Sequence, residues 1–210
     1  MASAPAGPSP TRRRELYQPA IQHARTMRAH LARLLDAYVE SQGLNIELDL
    51  DFVDGIPSAS TEQWGNLAEA ERLELNVKAY RSFQDLLNEV LEDQKQHFTP
   101  ASTDFHEDIR TAIIHVETFS NHLEELMVSL EHEVPEKEMG ISGVETGTLF
   151  QKKLKGYKVL LELLQWARRS ISDLNQLSKN GRYQAKARAT PTFQTIRMSS
   201  RRVVVHNSTE

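Results

Sequence analysis

Read for catalytic chemistry, the chain offers fragments and no complete set. His106-Glu107 and His132-Glu133 each open a His-Glu-x-x-His pattern, which needs two imidazoles one helical turn apart and a general base, but neither gains its second histidine. No Glu-x-x-His pair of the kind that builds di-metal sites in helical bundles occurs either. Gly140, Gly143 and Gly147 lack the Lys-Ser/Thr that completes a phosphate loop, so they read as a linker. His115 and His122 share a helix face without carboxylates placed to complete a ligand set, and there is no cysteine. No catalytic, cofactor or metal site is therefore expected. What remains is the chemistry of binding. Phe150 and Lys153 stand three apart in the first turn of a helix, an aromatic beside a cation, which is the composition of a protein-binding hot spot. Phe150 also lies four residues before Leu154 and so falls in line with a core stripe; on spacing alone it is a core anchor.

Four further groups have a similar character. Arg25 and Arg28 flank an apolar stripe, where a solvated flank is the plain alternative. Gln63-Trp64 sits in a long loop, and a loop tryptophan either covers the end of a core or serves as an interface anchor. Arg169 and Asp173 have i,i+4 spacing and can pair with each other. Ile114 stands alone opposite a buried stripe, with Arg110 one turn away, and marks an exposed contact face.

These residues need helices to position them, and four segments supply apolar residues at three- and four-residue steps. The first runs through Ile21, Ala24, Met27, Leu31, Leu34 or Leu35, and Tyr38 to a stop at Gly43, with Pro19 in its first turn. The second has Asn66 and Glu69 at the cap and third position, then Leu73, Val77, Tyr80, Phe83, Leu87 and Val90, and ends before Pro100. The third opens on Asp104 and Glu107 and carries Ile109, Val116, Phe119 and Leu123. The fourth starts at Thr148, whose capping-box partner is Gln151, and stops at Asn180-Gly181. Val159, Leu163 and Trp166 broaden its apolar face, so two neighbours pack against it.

Loop length constrains how the helices connect. Residues 98 to 103 are a short link, which makes the second and third helices antiparallel neighbours. Residues 44 to 65 and 133 to 147 are long enough to return along a helix of ~45 Å, since about 13 extended residues suffice. The expected fold is all-α: an up-up-down-down four-helix bundle of the long-chain type with two long crossovers. Residues 1–13 are expected to be a flexible N-terminus, 14–181 the bundle, and 182–210 a basic, disordered tail.

Composition agrees with a single globular unit. The 210 residues are 39% hydrophobic and 26% charged, with formal net charge −4. That charge is uneven. From Arg182 onward six Lys or Arg face Glu210, a balance of +5, leaving 19 basic against 28 acidic residues, or −9, in residues 1–181. An acidic body argues against nucleic acid as its partner, while the tail carries an Asn207-Ser208-Thr209 sequon and suits retention on acidic glycans. No apolar run suits a signal peptide or a membrane span, which places the chain in the cytosol.

Several segments are more specific than a generic bundle. Ala24-Arg25-Thr26-Met27-Arg28, Tyr38-Val39-Glu40-Ser41-Gln42-Gly43-Leu44-Asn45, Ala59-Ser60-Thr61-Glu62-Gln63-Trp64, His97-Phe98-Thr99-Pro100, Leu149-Phe150-Gln151-Lys152-Lys153-Leu154 and Gln165-Trp166-Ala167-Arg168-Arg169-Ser170-Ile171 are among those that, in order and spacing, resemble the ciliary neurotrophic factor family of interleukin-6-type helical cytokines. The likeness runs from about Arg12 to Gly181 and omits the tail. It implies a neurotrophic cytokine, not an enzyme, that assembles a multi-subunit cell-surface receptor. Receptor-associated tyrosine kinases and STAT signalling follow, for neuronal survival and differentiation.

The implied partners are the ciliary neurotrophic factor receptor alpha chain, the leukemia inhibitory factor receptor and the shared interleukin-6-family signal-transducing receptor, glycoprotein 130. By position, the resemblance assigns Arg25, Arg28, Gln63, Trp64, Arg169 and Asp173 to the alpha receptor. Phe150 and Lys153 match the family's Phe-x-x-Lys site for the leukemia inhibitory factor receptor. Arg110 and Ile114 are placed at the shared subunit from exposure, not from a motif. The resemblance also implies cytosolic storage and unconventional release. Glu74 and Asn175 stand where the mammalian pattern has glutamine and arginine, making the alpha-receptor face less basic, and Tyr17 replaces the family's cysteine. The alternative from a different class is an intracellular helical scaffold or adaptor.

Overall fold

A computed structural model of the chain describes residues 8–44, 56–57, 59, 64–137 and 147–179. Gln63, Gly140, Gly143, the Asn180-Gly181 stop, the tail 182–210 with its sequon, and residues 1–7 lie outside the described residues. Within them are four long helices and no strand: α1 (Pro10–Gln42), α2 (Glu69–Asp93), α3 (Thr103–Ser129) and α4 (Leu149–Lys179). A 3₁₀ turn spans Trp64–Asn66, and a π-helical turn, Gln94–Phe98, extends α2.

Pairwise contacts establish the topology. Arg13 meets Leu177 and Tyr38 meets Lys153, so α1 runs antiparallel to α4. Arg72 meets Asp173 and Lys155 meets Glu89, so α2 is also antiparallel to α4. His23 meets His115 and His30 meets Asp108, setting α1 antiparallel to α3. The order up-up-down-down follows, as the loop lengths require. Helix α4 packs on both α1 and α2, which is why its apolar stripe is broad: Val159, Leu163, Trp166 and Ala167 are all buried. The four inner stripes close on Tyr17, Met27, Leu31, Tyr80, Phe83, Phe119 and Leu123, all with no exposed surface. Each large apolar side chain so buried contributes about 1.5–3 kcal/mol.

Three helix starts differ from the local reading. α1 begins at Pro10, not near Pro19: Ser9 caps it, accepting from the Arg12 N–H at 3.3 Å, and proline is suited to the first position. Pro19 is interior and exposed; it withdraws one backbone donor on the solvent side, where water can serve the freed carbonyl. The segment 1–13 is therefore not wholly flexible. Arg13 is buried, donates to the Leu177 carbonyl at 2.9 Å and pairs with Glu69, which also accepts from the Tyr17 hydroxyl. That network ties together the starts of α1 and α2 and the end of α4.

α2 starts at Glu69 after Ala68, with the Glu71 carboxylate accepting the Ala68 N–H at 2.7 Å; Asn66 stays in the preceding turn. α3 starts at Thr103, with Ser102 at the cap position two residues before the expected Asp104, and Glu107 bonds Arg110 instead of a cap. Gly43 does end α1, at φ 60°, and the Leu44 N–H closes on the Val39 carbonyl at 3.1 Å. Thr148 and Gln151 form the expected reciprocal capping box, at 2.8 and 3.2 Å.

Candidate functional site

At the N-terminal end of α4 the stripe outruns the core. Phe150 is 59% exposed and Leu149 lies beside it in solvent, on the side of the first turn away from Asp93 of α2, which pairs with Lys152. Spacing to Leu154 alone suggests a core anchor and the family resemblance an exposed receptor anchor; the exposed reading holds, because the stripe is continuous in sequence but its cover ends at Leu154. Lys153 is held more firmly. Its ammonium sits 5.3 Å from the Phe98 ring centroid and 3.4 Å from the Gln42 carbonyl oxygen, at the end of α1. The π-helical turn places Phe98 there, since its extra residue lets the Thr99 N–H reach the Gln94 carbonyl at 2.8 Å. Lys152 and Lys155 turn the other way, to Asp93 and Glu89 of α2. The outcome is a bare aromatic next to an oriented cation. Phe98 was not singled out from the sequence, because only the end-to-end packing of α2 and α4 brings it under Lys153.

A second cluster lies along α4. The Arg169 guanidinium lies in the corner of two perpendicular indoles, 3.9 Å from the Trp64 ring centroid and 3.7 Å from that of Trp166. Its Nη1 donates to the Ala59 carbonyl at 2.6 Å, and Trp166 Nε1 donates to the Pro57 carbonyl at 2.9 Å. Segments of the first crossover are thus pinned to α4 by donors from one helix face. Burial between the rings pulls the Arg169 pKa below the usual arginine value, opposed by Tyr80, Asp173 and Glu162. Nε and Nη2 are buried and have no hydrogen-bond partner among the described residues. A guanidinium set against two rings and one carbonyl is fixed in direction.

Asp173 departs from the expected i,i+4 pair. It is 4% exposed and binds Arg72 of α2 at 2.8 Å, a partner that is itself 3% exposed. It belongs to a buried polar ladder in which Tyr80 and Ser170 hydroxyls lie 2.9 Å apart, Ser170 Oγ is 2.7 Å from Asn76 Oδ1, and Asn76 donates to the Arg72 carbonyl at 2.7 Å. Asp173 is thus a strut beneath the surface and not part of it. Arg25 and Arg28 are exposed on α1, between the two points where α1 is tied to α4. Of the departures noted in sequence, Glu74 pairs with Lys78 at 2.9 Å, Asn175 donates to its own helix at Ile171, and Tyr17 is a core residue.

On α3, Ile114 is 59% exposed and Arg110, one turn earlier, is exposed and paired with Glu107 at 2.7 Å. Among the described residues no group of three or more His, Cys, Asp or Glu is placed to hold a metal, and no helix is long and apolar enough to cross a membrane.

Comparison with known proteins agrees with this arrangement. A family model described as ciliary neurotrophic factor matches residues 1–193. The pig protein of that name is 50% identical over 182 residues, covering 86% of this chain and 91% of the relative. The human one is 48% identical over 183 residues, with 86% and 91% covered. The chicken one is 36% identical over 195 residues, covering 92% of this chain and all of the relative. A helical bundle with exposed aromatic and cationic contacts, matched over this length, has one consistent placement: the chain belongs to the ciliary neurotrophic factor family, a family of neurotrophic cytokines and not of enzymes.

Proposed function

We propose that the protein acts by holding three receptor chains together. The ciliary neurotrophic factor receptor alpha chain would meet the face of Trp64, Arg169, Arg25 and Arg28, with Asp173 bracing it from beneath and Gln63, next to Trp64 in sequence, assigned to the same receptor. The leukemia inhibitory factor receptor takes Phe150 and Lys153. Glycoprotein 130, the shared subunit, takes Arg110 and Ile114 on α3. Once one chain is bound, the next encounter is nearly intramolecular, so kinases attached to the signalling chains come together at receptor densities too low for chance collision. The reading further holds that the protein is stored in the cytoplasm, leaves by an unconventional route and acts outside the cell.

The observation that carries it is the exposure of Phe150. A phenylalanine left 59% open beside an oriented lysine costs the isolated protein apolar burial that a partner's pocket would recover. Phe150→Ala with Lys153→Ala is the test, in cells bearing the three chains. STAT phosphorylation is expected to vanish while binding to the purified alpha chain is unchanged; full signalling by the double variant would overturn the assignment.

A further inference from the structure

The seam between α1 and α3 carries four histidines that neither helix needs for its own formation. His23 and His30 on α1, and His115 and His122 on α3, are each seven apart, which keeps all four on the facing stripes. Because the helices are antiparallel, the rings interleave in one row. Centroid separations are 5.4 Å from His122 to His23, 5.2 Å from His23 to His115 and 5.5 Å from His115 to His30. Phe119 stacks on His23 at 6.3 Å.

Hydrogen bonding defines the protonation state that fits. His23 Nε2 lies 3.0 Å from the His115 carbonyl oxygen, which only accepts, so Nε2 bears the proton. The same nitrogen is 3.4 Å from His115 Nδ1, which must then be the bare one. A second proton on His115 would enter at Nδ1 and set two N–H groups against each other. His30 Nε2 donates likewise to the Asp108 carbonyl, at 2.8 Å.

Compensating charge is scarce around the row. Glu125 of α3, 3.7 Å from His122 Nδ1, is the one described carboxylate paired with it, and it is largely exposed. Asp108 offers its backbone oxygen. No charged group of α2 or α4 is among those acting on His23 or His115. Burial, and then the neighbouring histidines, pull both rings below the ordinary histidine pKa, with the backbone bond to His115 opposing this at His23.

We propose that the histidine row is a proton-operated latch, in which neutral His23 and His115 close α1 on α3 at neutral pH and proton uptake by these two rings under mild acid opens that seam. A depressed folded-state pKa means that the unfolded chain binds more protons. Stability contributed by His23 and His115 is thus complete above about pH 6.5 and is lost as pH falls through their folded values. Ile114 stands next to His115 in sequence, so opening would disturb the α3 contact face; that consequence, unlike the latch itself, rests on the receptor reading above.

The test uses the full chain with a chelator present, so that protons alone are read. Histidine resonances followed by NMR, assigned with His23→Gln and His115→Gln, are expected to titrate below pH ~6.5 for both rings. Between about pH 7.5 and about pH 5.5 the Tm of the wild type should fall by ~4 °C more than that of the double variant. Ordinary titration at both rings, or equal Tm losses, overturns the latch. Should the double variant not fold, the wild-type titration decides alone, together with amide exchange. Acid should speed exchange along α1 and α3 ahead of the α2–α4 contacts, and uniform acceleration counts against the proposal.

Discussion

The Tyr38 ring rests directly on the backbone of Gly156, where α1 crosses α4, and its hydroxyl donates to the Lys153 carbonyl at 3.1 Å. A Cβ at Gly156 would come within 2.9 Å of the Tyr38 Cζ, and Tyr38 is fully buried, so its ring has nowhere to retreat. Gly156→Ala should gain ~1 kcal/mol of helix propensity yet lose about 2 kcal/mol net to overpacking. In urea unfolding, adding Tyr38→Phe should recover part of that loss, because the hydroxyl is the atom in the way. Simple addition of the two penalties would show that the contact is not the cause.

Asp173 should prove a stability residue. Asp173→Ala leaves the Arg72 guanidinium charged and unmatched in the interior, a change that costs ~3–5 kcal/mol. Thermal unfolding monitored by circular dichroism is expected to show a large fall in Tm. A normal Tm with selectively weakened alpha-receptor binding would instead make Asp173 a direct contact.

Phe98 should matter to the site without touching a partner through Phe150. Phe98→Ala removes the ring under Lys153 and about 0.5–1 kcal/mol of cation–π attraction, freeing the ammonium to wander. Affinity for the leukemia inhibitory factor receptor, measured by surface plasmon resonance, is expected to fall several-fold, less than for Phe150→Ala with Lys153→Ala. An unchanged affinity would mean that Lys153 is oriented by Gln42 alone.

Arg169→Lys should behave as a loss and not as a conservative change. A compact ammonium cannot contact both Trp64 and Trp166 and reach the Ala59 carbonyl as the broader guanidinium does. The double-mutant cycle of Arg169→Lys and Trp64→Ala is expected to give a coupling of ~1 kcal/mol in stability. Coupling near zero would leave the stack without energetic weight.

Alkaline behaviour follows from Tyr17, Tyr38 and Tyr80, whose pKa values are raised chiefly by burial. Their unfolded counterparts ionise near pH ~10, so this contribution to stability is complete below that pH and lost as pH rises beyond it. Absorbance of the phenolate should show these three hydroxyls appearing only with unfolding. Their ionisation in a protein that retains its helical signal would contradict the burial.

Local spacing determined much of this protein. Four apolar stripes, the Thr148–Gln151 box, the Gly43 stop and the unequal loops suffice for an up-up-down-down bundle, because periodicity, capping and chain reach act over a few residues. The same locality explains the errors. Pro19 and the Asn66–Glu69 pair carry start signals that the chain does not use, since Ser9 caps α1 and the Glu71 carboxylate takes the Ala68 N–H at the start of α2. Tertiary structure alone decided which partners meet across helices. Asp173 had Arg169 four residues away and takes Arg72, 101 residues distant, because it points into the core and Arg169 points along the indoles. Phe150 continues a stripe and yet stays open, and four histidines scattered over 100 residues become one row. Helix register and the end of the packed layer set both outcomes, and neither is written in the spacing along a single helix.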